Sequence, residues 1–583
     1  MTGASHMDPV FFAKLARRSR LNKEVMTIFA AMMSALVALI LGFHVLRRLG
    51  STKRRLRRRF HAGVVVSRKI RSILLHKCPV LHTVGHVFVI AAYLGINIIA
   101  AFIKFDNSNM PLLSNVASRT GWMAIANTLI VVVLSLKNTP FAVFTAWSHE
   151  RLNILHRVAG FATVAFVVVH GCSYAAVFGL QGRPSRLTGI KEIFGIIAGF
   201  SFLSVGFAGA VVRNWWYELF YYIHVTFWML GIVMVGLHQP QPSRLVLYIT
   251  ITAAGIWVLD CFIRLIRLAI NGVNNAVMLI PLPHGGTRLV FSKRQYGASP
   301  GRHSFLWIPS ISALQTHPFT IVATDPFEFV IAAHDGFTRA LHNYAVRNPG
   351  ASLRASVEGP YGAFPNPRGH DKVILVAGGS GASFTVGVAR SVLEQNGGHE
   401  KAIVFIWMIK HHAYLTWFSE HLKILKSDPR VSVHVYVTRS SMSEDPGEKP
   451  QSSSELSSQS SSGSSSQSPS TIPDPEKLPV SRLSIPLPTP TTDMEKTGFT
   501  SPVESPISPI DAAGLDSDFS IMYRRPNVAA LIRTGMEGVP SDQRVLVMGC
   551  GPQRLMTAVR NATAEFVRPD SMGVELHCEQ FGW

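Results

Sequence analysis

The sequence predicts a multi-domain membrane protein: an α-helical transmembrane domain of about seven spans, then an antiparallel β-barrel domain, then an α/β nucleotide-binding domain. Three observations predict it. Seven apolar runs of about 20 residues, each long enough to span a bilayer, fill the first half. After Ile270 the pattern changes to short alternating strands, turns and charged helices. Further on, the stretch VILVAGGSGAS at 373–383 is an apolar strand entering a glycine-rich turn and a helix. Composition agrees: 15% of the 583 residues are charged and 48% are hydrophobic, whereas soluble domains carry about 25% charged residues. The net charge of +22 suits a nucleic acid or a membrane surface. With the apolar runs present the lipid bilayer is the expected partner, and no nucleic acid is. Five cysteines without paired spacing make neither a disulfide framework nor a zinc site.

The runs lie near 26–46, 83–103, 119–136, 153–178, 190–212, 217–238 and 246–269. The third is short and contains Asn127. The start is basic, with Lys14, Arg17, Arg18, Arg20 and Lys23, and the run after it is long enough to span rather than be cleaved. The loop at 47–77 is rich in Lys and Arg, which places it in the cytosol. Seven spans then put the N-terminus outside and the C-terminal half in the cytosol. Arg264 and Arg267, at the end of the seventh run, agree.

The fourth run contains His156 and His170, and the sixth contains His224 and His238, each pair 14 residues apart. Fourteen steps come within about 40° of a whole number of helical turns, so each pair lies on one face, about 21 Å apart along the axis. The two helices run parallel, so His156 sits at the depth of His224 and His170 at that of His238. Two stacked sites result, each with two axial imidazoles, the ligation of a low-spin haem without an open position. Ionisable residues inside a membrane are costly and usually functional. His82 and His86 share a face, but the sequence spaces no histidine of another run to their depth, and His44 is read in the same way.

In the soluble half, His317, Pro318, Phe319 and Thr320 (HPFT) follow a strand, with Gly336, Phe337, Thr338 and Arg339 next and EGPYG at 358–362. A rigid Pro-aromatic step can wall an isoalloxazine ring, Thr320 can hydrogen-bond it, and Arg339 can pair a phosphate bidentately. The glycines Gly378, Gly379 and Gly381 let the backbone approach a pyrophosphate at a helix N-terminus. A second strand at 545–548 leads into Gly549, Cys550, Gly551 and Pro552 and another helix. The Ser-rich and then Pro-rich stretch at 440–517 cannot form a core and is expected to be a disordered insertion. Ser468, Ser501, Ser505 and Ser508 each precede Pro, so proline-directed phosphorylation stands beside a tolerated surface insertion.

Together these residues resemble the ferric reductase and NADPH oxidase superfamily, most closely the fungal ferric/cupric-chelate reductases. The order carries the resemblance: two 14-spaced histidine pairs, then HPFT, then GGSGAS, then CGP, then a terminal aromatic. It implies two b-type haems on the four histidines and a cytosolic half like ferredoxin–NADP reductase. It implies FAD at His317, Pro318, Phe319, Thr320 and Arg339. It implies NADPH at Gly378, Gly379, Ser380, Gly381 and Ser383 and at Gly551 and Pro552, with Cys550 the catalytic residue beside the nicotinamide. Trp583 or Phe581 would cover the flavin, and Lys410 and Arg439 would read the 2′-phosphate. The Pro that often follows the glycine turn is replaced by the region of Val386 and Gly387.

The expected organisation is an extracellular N-terminus at 1–25, a transmembrane di-haem domain at 26–270, a FAD-binding β-barrel at 274–366, and an NADPH-binding domain at 371–583 interrupted at 440–517. The implied activity is an NADPH-dependent ferric-chelate reductase in the plasma or vacuolar membrane. It would pass electrons to ferric or cupric chelates outside and serve an iron-uptake system. A superoxide-producing NADPH oxidase is the rival within the enzymes, and a non-catalytic haem membrane protein or transporter the rival outside them. The short loop at 239–243 favours a bulky chelate over oxygen, and Arg183, Arg186 and Lys191 suit an anionic one.

Overall fold

The computed structural model describes residues 9–50, 61–74, 84–139, 149–239, 244–394, 401–439, 521–568 and 572–579. The helices of the first half are α1 (Pro9–Gly50), α2 (His61–Leu74), α3 (Val84–Phe102), α4 (Leu112–Ser135), α5 (His149–Leu180), α6 (Ile190–Phe207), α7 (Tyr217–His238) and α8 (Leu245–Gly272). Among the described residues seven of them, all but α2, are long and apolar enough to cross a membrane. A π-helical turn, Ala208–Val212, extends α6.

Two boundaries differ from the sequence expectation. The first helix begins at Pro9 rather than near 26, so residues 9–25 are the first turns of α1. Their polar groups have partners on the α3–α4 side of the bundle. Arg17 pairs with Asp106 at 2.7 Å, Arg18 Nη1 donates to Ser114 Oγ at 2.7 Å, and Asn22 donates to Ser118 Oγ at 3.0 Å. The third span begins at Leu112 rather than 119. Hydropathy hides this turn because it is polar, yet its polar groups are satisfied inside the bundle. Arg119 is buried, donating Nε to Asn22 at 2.7 Å and Nη1 to the Ala100 and Ile103 carbonyls at 2.8 Å. Asn127 is likewise buried, donating to Asn97 Oδ1 at 2.6 Å and accepting from the Tyr93 hydroxyl. Interhelical hydrogen bonds of this kind replace the water such groups would need.

The next layer is a seven-stranded antiparallel sheet of β1 (Ala276–Leu282), β2 (Gly286–Phe291), β3 (His303–Trp307), β4 (His317–Thr324), β5 (Phe327–Ala332), β6 (Ser352–Arg354) and β7 (Ser356–Tyr361), with α9 (Phe337–Arg347) between β5 and β6. The strand order is β6-β1-β2-β5-β4-β3-β7. The outermost strands, β6 and β7, are separated in the chain by Ala355 alone, so the sheet must curl round on itself. Val277, Leu279, Leu289, Leu306, Phe329 and Val357 fill the interior.

The last layer is a parallel sheet of β8 (Lys372–Gly378), β9 (Ala402–Ile409), β10 (Val431–Val437), β11 (Ile521–Met522), β12 (Arg544–Cys550) and β13 (Gly573–Glu579). Helices α10 (Ala382–Leu393), α11 (Ser419–Ser427), α12 (Val528–Met536) and α13 (Gln553–Ala564) connect its strands. The order β11-β10-β9-β8-β12-β13 reverses between β8 and β12, the crevice where such sheets bind ligands. The strands are apolar on both faces, as sheets covered on both sides are. The insertion expected at 440–517 lies outside the described residues.

The layers are joined directly. Arg264 Nε on α8 donates to Glu358 on β7 at 2.9 Å, and Asn271 donates to the Val357 carbonyl at 2.9 Å. Arg71, on α2 in the basic loop, donates to the Val574 carbonyl of β13 at 2.6 Å. The basic loop and the soluble half therefore lie on the same side of the spans.

Candidate functional site

The membrane half brings the four histidines together in two facing pairs. The His156 and His224 ring centroids are 6.3 Å apart, crossed at 61°; those of His170 and His238 are 6.2 Å apart, crossed at 83°. A metal–imidazole bond is about 2 Å, so a metal held axially between two imidazoles needs centroids about 6 Å apart. In every ring Nδ1 faces a backbone carbonyl: His156 that of Val131 at 3.0 Å, His170 that of Ala117 at 2.7 Å, His224 that of Val205 at 3.2 Å and His238 that of Lys191 at 2.8 Å. Nδ1 is thus the donor, and Nε2 is left as a ligand. Two nitrogens alone grip a bare ion weakly; they suit a metal that brings its own equatorial donors, as a haem does.

The acceptors repeat the spacing of the ligands. Ala117 and Val131 on α4 are 14 residues apart, as are Lys191 and Val205 on α6. Two glycines admit the His170–His238 pair. A Cβ on Gly121 would stand 2.6 Å from the His170 ring, and one on Gly195 would stand 2.7 Å from His238. Neither glycine is marked by the sequence, because the need for it arises from a neighbouring helix.

The HPFT residues open β4. His317 stacks on Phe337 with centroids 4.3 Å apart at 18°, and Phe319 stacks on the same ring at 6.1 Å. Phe337 opens α9 directly after Gly336, whose φ of 60° favours glycine. Burial pushes the His317 imidazole below its usual range, opposed by Glu218 at the start of α7. Pro318 pairs with Phe305 and Thr320 with His303 across β3. Arg339 is exposed at the start of α9, donating Nε to the His334 carbonyl at 2.9 Å and pairing with Asp335 at 2.7 Å.

The glycine turns after β8 and β12 interlock at the sheet's reversal point. A Cβ on Gly381 would stand 2.3 Å from the Cys550 carbonyl oxygen, and one on Gly378 would stand 2.9 Å from Pro552 Cδ. Gly551 approaches the backbone of Gly378 equally closely. Gly379 differs: a Cβ there meets open space, and its φ of 56° is what calls for glycine. Trp407 Nε1 anchors this turn through the Gly379 carbonyl at 2.9 Å. Ser380 lies in the turn. Ser383 does not face it; its buried hydroxyl donates to the Val330 carbonyl of β5 at 3.1 Å. Gly387 also packs on the antiparallel layer, where a Cβ would stand 2.7 Å from Gly301 N.

Cys550 ends β12, buried, and burial pushes its thiol well above the usual range, so it stays protonated. Lys410 and Arg439 follow β9 and β10 at the same sheet edge, exposed, with Arg439 N donating to the Lys410 carbonyl at 3.2 Å. Phe581 and Trp583 lie outside the described residues.

Seven spanning helices, an antiparallel layer and a parallel layer with paired glycine turns define an integral-membrane protein with flavin- and nicotinamide-type domains. Family models agree: "Ferric reductase like transmembrane component" matches residues 120–235, "FAD-binding domain" 275–365 and "Ferric reductase NAD binding domain" 370–564. Two of these three models are of ferric reductase components, and the three lie in order along the chain. It is 27% identical over 406 residues to "Ferric/cupric reductase transmembrane component 2" of Schizosaccharomyces pombe, covering 59% of this chain and 70% of the relative. It is 25% identical over 485 residues to "Ferric reductase transmembrane component 4" of Saccharomyces cerevisiae, covering 80% of this chain and 63% of the relative. Against "Ferric/cupric reductase transmembrane component 1" of Candida albicans the match spans 45% of the relative's length. A flavohemoglobin from Malassezia yamatoensis overlaps 81% of this chain and 96% of its own at 14% identity, with a TM-score of 0.35, too loose a likeness to carry a functional inference.

Proposed function

We propose that this chain carries electrons from cytosolic NADPH across the membrane to ferric, and also cupric, chelates outside. The observation that carries the reading is the pair of facing imidazole couples, each ring fixed through Nδ1, which leaves Nε2 as the nitrogen available to a metal. When bound, FAD accepts the hydride of NADPH and two b-type haems pass the electrons on singly. His156 and His224 would hold the inner haem, His170 and His238 the outer one. The aromatic wall of His317, Phe319 and Phe337 would flank the flavin, with Thr320 and Arg339 as its polar partners. The interlocked turns at Gly378–Gly381 and Cys550–Pro552 would seat the nicotinamide nucleotide, with the protonated Cys550 thiol beside it and Lys410 and Arg439 toward a 2′-phosphate.

With His170 and His238 both holding the outer haem, an acceptor outside would take its electron without binding the iron. Arg183, Arg186 and Lys191 lie at that end, and the carbonyl of Lys191 itself orients His238. Cations there attract an anionic chelate such as ferric citrate by about 1 kcal/mol per contact at low screening. The plasma membrane is the proposed location and an iron-uptake system the proposed recipient.

An NADPH-driven assay in sealed vesicles tests this, with ferric citrate, cupric ion or oxygen as sole outside acceptor. Flux to ferric citrate is expected to exceed flux to oxygen. Equal or greater flux to oxygen would replace the reductase with an oxidase.

A further inference from the structure

Lys137, two residues beyond the end of α4, sits where the membrane bundle meets the flavin-type sheet. Its Nζ stands 3.2 Å from the centroid of the Phe305 ring and 3.5 Å from Glu358 Oε2. Phe305 on β3 is the direct cross-strand partner of Pro318, the second residue of HPFT. Directly opposed residues project to one face with Cβ atoms about 5 Å apart. The ammonium therefore lies on the Pro318 and Thr320 face of this strand pair, the side of the flavin's polar partner Thr320 rather than that of the His317 and Phe319 wall. On its other side, α4 leads back from Lys137 to Val131, whose carbonyl orients the inner His156.

The charges around Lys137 do not balance. β7 presents Glu358 and Tyr361, and Tyr361 donates its hydroxyl to Glu358 at 2.6 Å. α8 presents Asp260, Cys261, Arg264 and Arg267. Arg264 reaches Glu358 at 2.9 Å. Asp260 accepts from the Asn138 amide at 3.0 Å, and Arg267 donates to the Asn138 side chain at 2.6 Å. Among the described residues, Lys137, Arg264 and Arg267 thus face two carboxylates, Glu358 and Asp260. Both carboxylates are buried, and the Lys137 side chain is only 13% exposed. Buried charge seeks a counter-charge.

We propose that Lys137 is a positioning residue whose positive charge is completed by the electron-rich flavin, stabilising negative charge on the ring at the junction with the inner histidine pair. This rests on the flavin reading of the HPFT site above. Burial, with Arg264 adding to it and Glu358 opposing, brings the lysine down to about 7. Its charge is therefore present below about pH 7 and lost above it, and negative charge arriving nearby draws the proton back. The lysine exchanges a proton with the cytosol and is neither oxidised nor reduced.

The test is the flavin midpoint potential of the full-length, FAD-loaded protein, followed spectroscopically from pH 6 to 9. In the parent protein the potential should fall more steeply with pH near 7. Lys137→Arg should lose this added steepness and follow only the flavin's own proton-coupled slope, lying above the parent at high pH, because arginine does not titrate there. Lys137→Met should likewise follow only the flavin's own slope, lying below the parent at low pH and meeting it at high pH, with flavin still bound. An inflection near pH 7 that persists unchanged in Lys137→Arg overturns the proposal, even if Lys137→Met fails to fold. Protein that folds yet retains no FAD would instead defeat the flavin reading itself.

Discussion

Nδ1 of His170 donates to the carbonyl oxygen of Ala117 at 2.7 Å. This bond ties an imidazole on α5 to the backbone of α4, and its counterpart ties His238 on α7 to Lys191 on α6 at 2.8 Å. The inner pair repeats both links through Val131 and Val205. Each ring is held by a neighbouring helix that carries no ligand of its own. The bundle thus fixes tautomer and ring direction before any metal arrives.

Gly121 and Gly195 should therefore be necessary at the outer site. An alanine methyl at either would stand 2.6–2.7 Å from an imidazole atom, closer than packed carbon atoms approach. Gly121→Ala or Gly195→Ala should displace the outer ring and lower the haem content of purified protein to about half. The inner pair should keep its b-type absorbance. Full haem content in both variants would mean that the rings can shift without losing their metal.

Replacing any one of His156, His170, His224 or His238 with Leu should reduce the b-type absorbance, because a six-coordinate haem loses an axial ligand. NADPH-driven flux to the outside should vanish in all four, since the two sites stand in series. A variant with full haem content and full flux would remove that histidine from the relay.

The 14-residue spacing of the histidines is visible in the sequence, and it fixes which residues can face each other. The acceptors are not visible, because a backbone carbonyl carries no residue identity. Gly121 and Gly195 stay silent for the same reason: the atoms they make room for belong to other helices. Hydropathy located the spans but misplaced the start of α4, where Arg119 and Asn115 read as polar although their donors are met inside the bundle. The strand–turn–helix pattern at 373–383 was legible as such. It did not reveal that Ser383 turns toward β5 or that Gly381 is required by the Cys550 carbonyl, since both contacts are long-range.

The glycines of the first turn should separate by mechanism. Gly381→Ala drives a methyl into the Cys550 carbonyl and should disrupt both turns, lowering stability by about 1–3 kcal/mol and raising the KM for NADPH. Gly379 has space for a side chain but a φ of 56°. Asn adopts that conformation more readily than Val. Gly379→Asn should therefore keep most NADPH-driven turnover, while Gly379→Val loses it with the haems still reducible by dithionite. Equal kinetics in the two variants would show that backbone strain is not what selects glycine there.

The two soluble layers are held by a buried charge cluster that sets their acid limit. Glu328 on β5 is fully buried and accepts from Arg288 at 2.7 Å and from His421 on α11. Arg288 reaches on to Glu420 at 2.9 Å. Arg390 Nη1 lies 2.9 Å from His421 Nδ1; arginine can only donate, so the histidine proton sits on Nε2, aimed at Glu328. Burial alone would raise the Glu328 carboxyl, but His421 and Arg288 outweigh it and hold the carboxyl below the usual range. A carboxylate whose folded value is depressed stabilises the fold above its unfolded value. That contribution fades as pH falls through about 4 and is lost below the folded value. The soluble half should accordingly lose apparent thermal stability on the acid side of about pH 4. Glu328→Ala should destabilise it by about 3–5 kcal/mol at pH 7, because His421 remains buried without its acceptor and Arg288 keeps only the partly exposed Glu420. The same variant should flatten the acid limb. If Glu328→Ala keeps the parent midpoint and acid limb, the cluster does not hold the layers together.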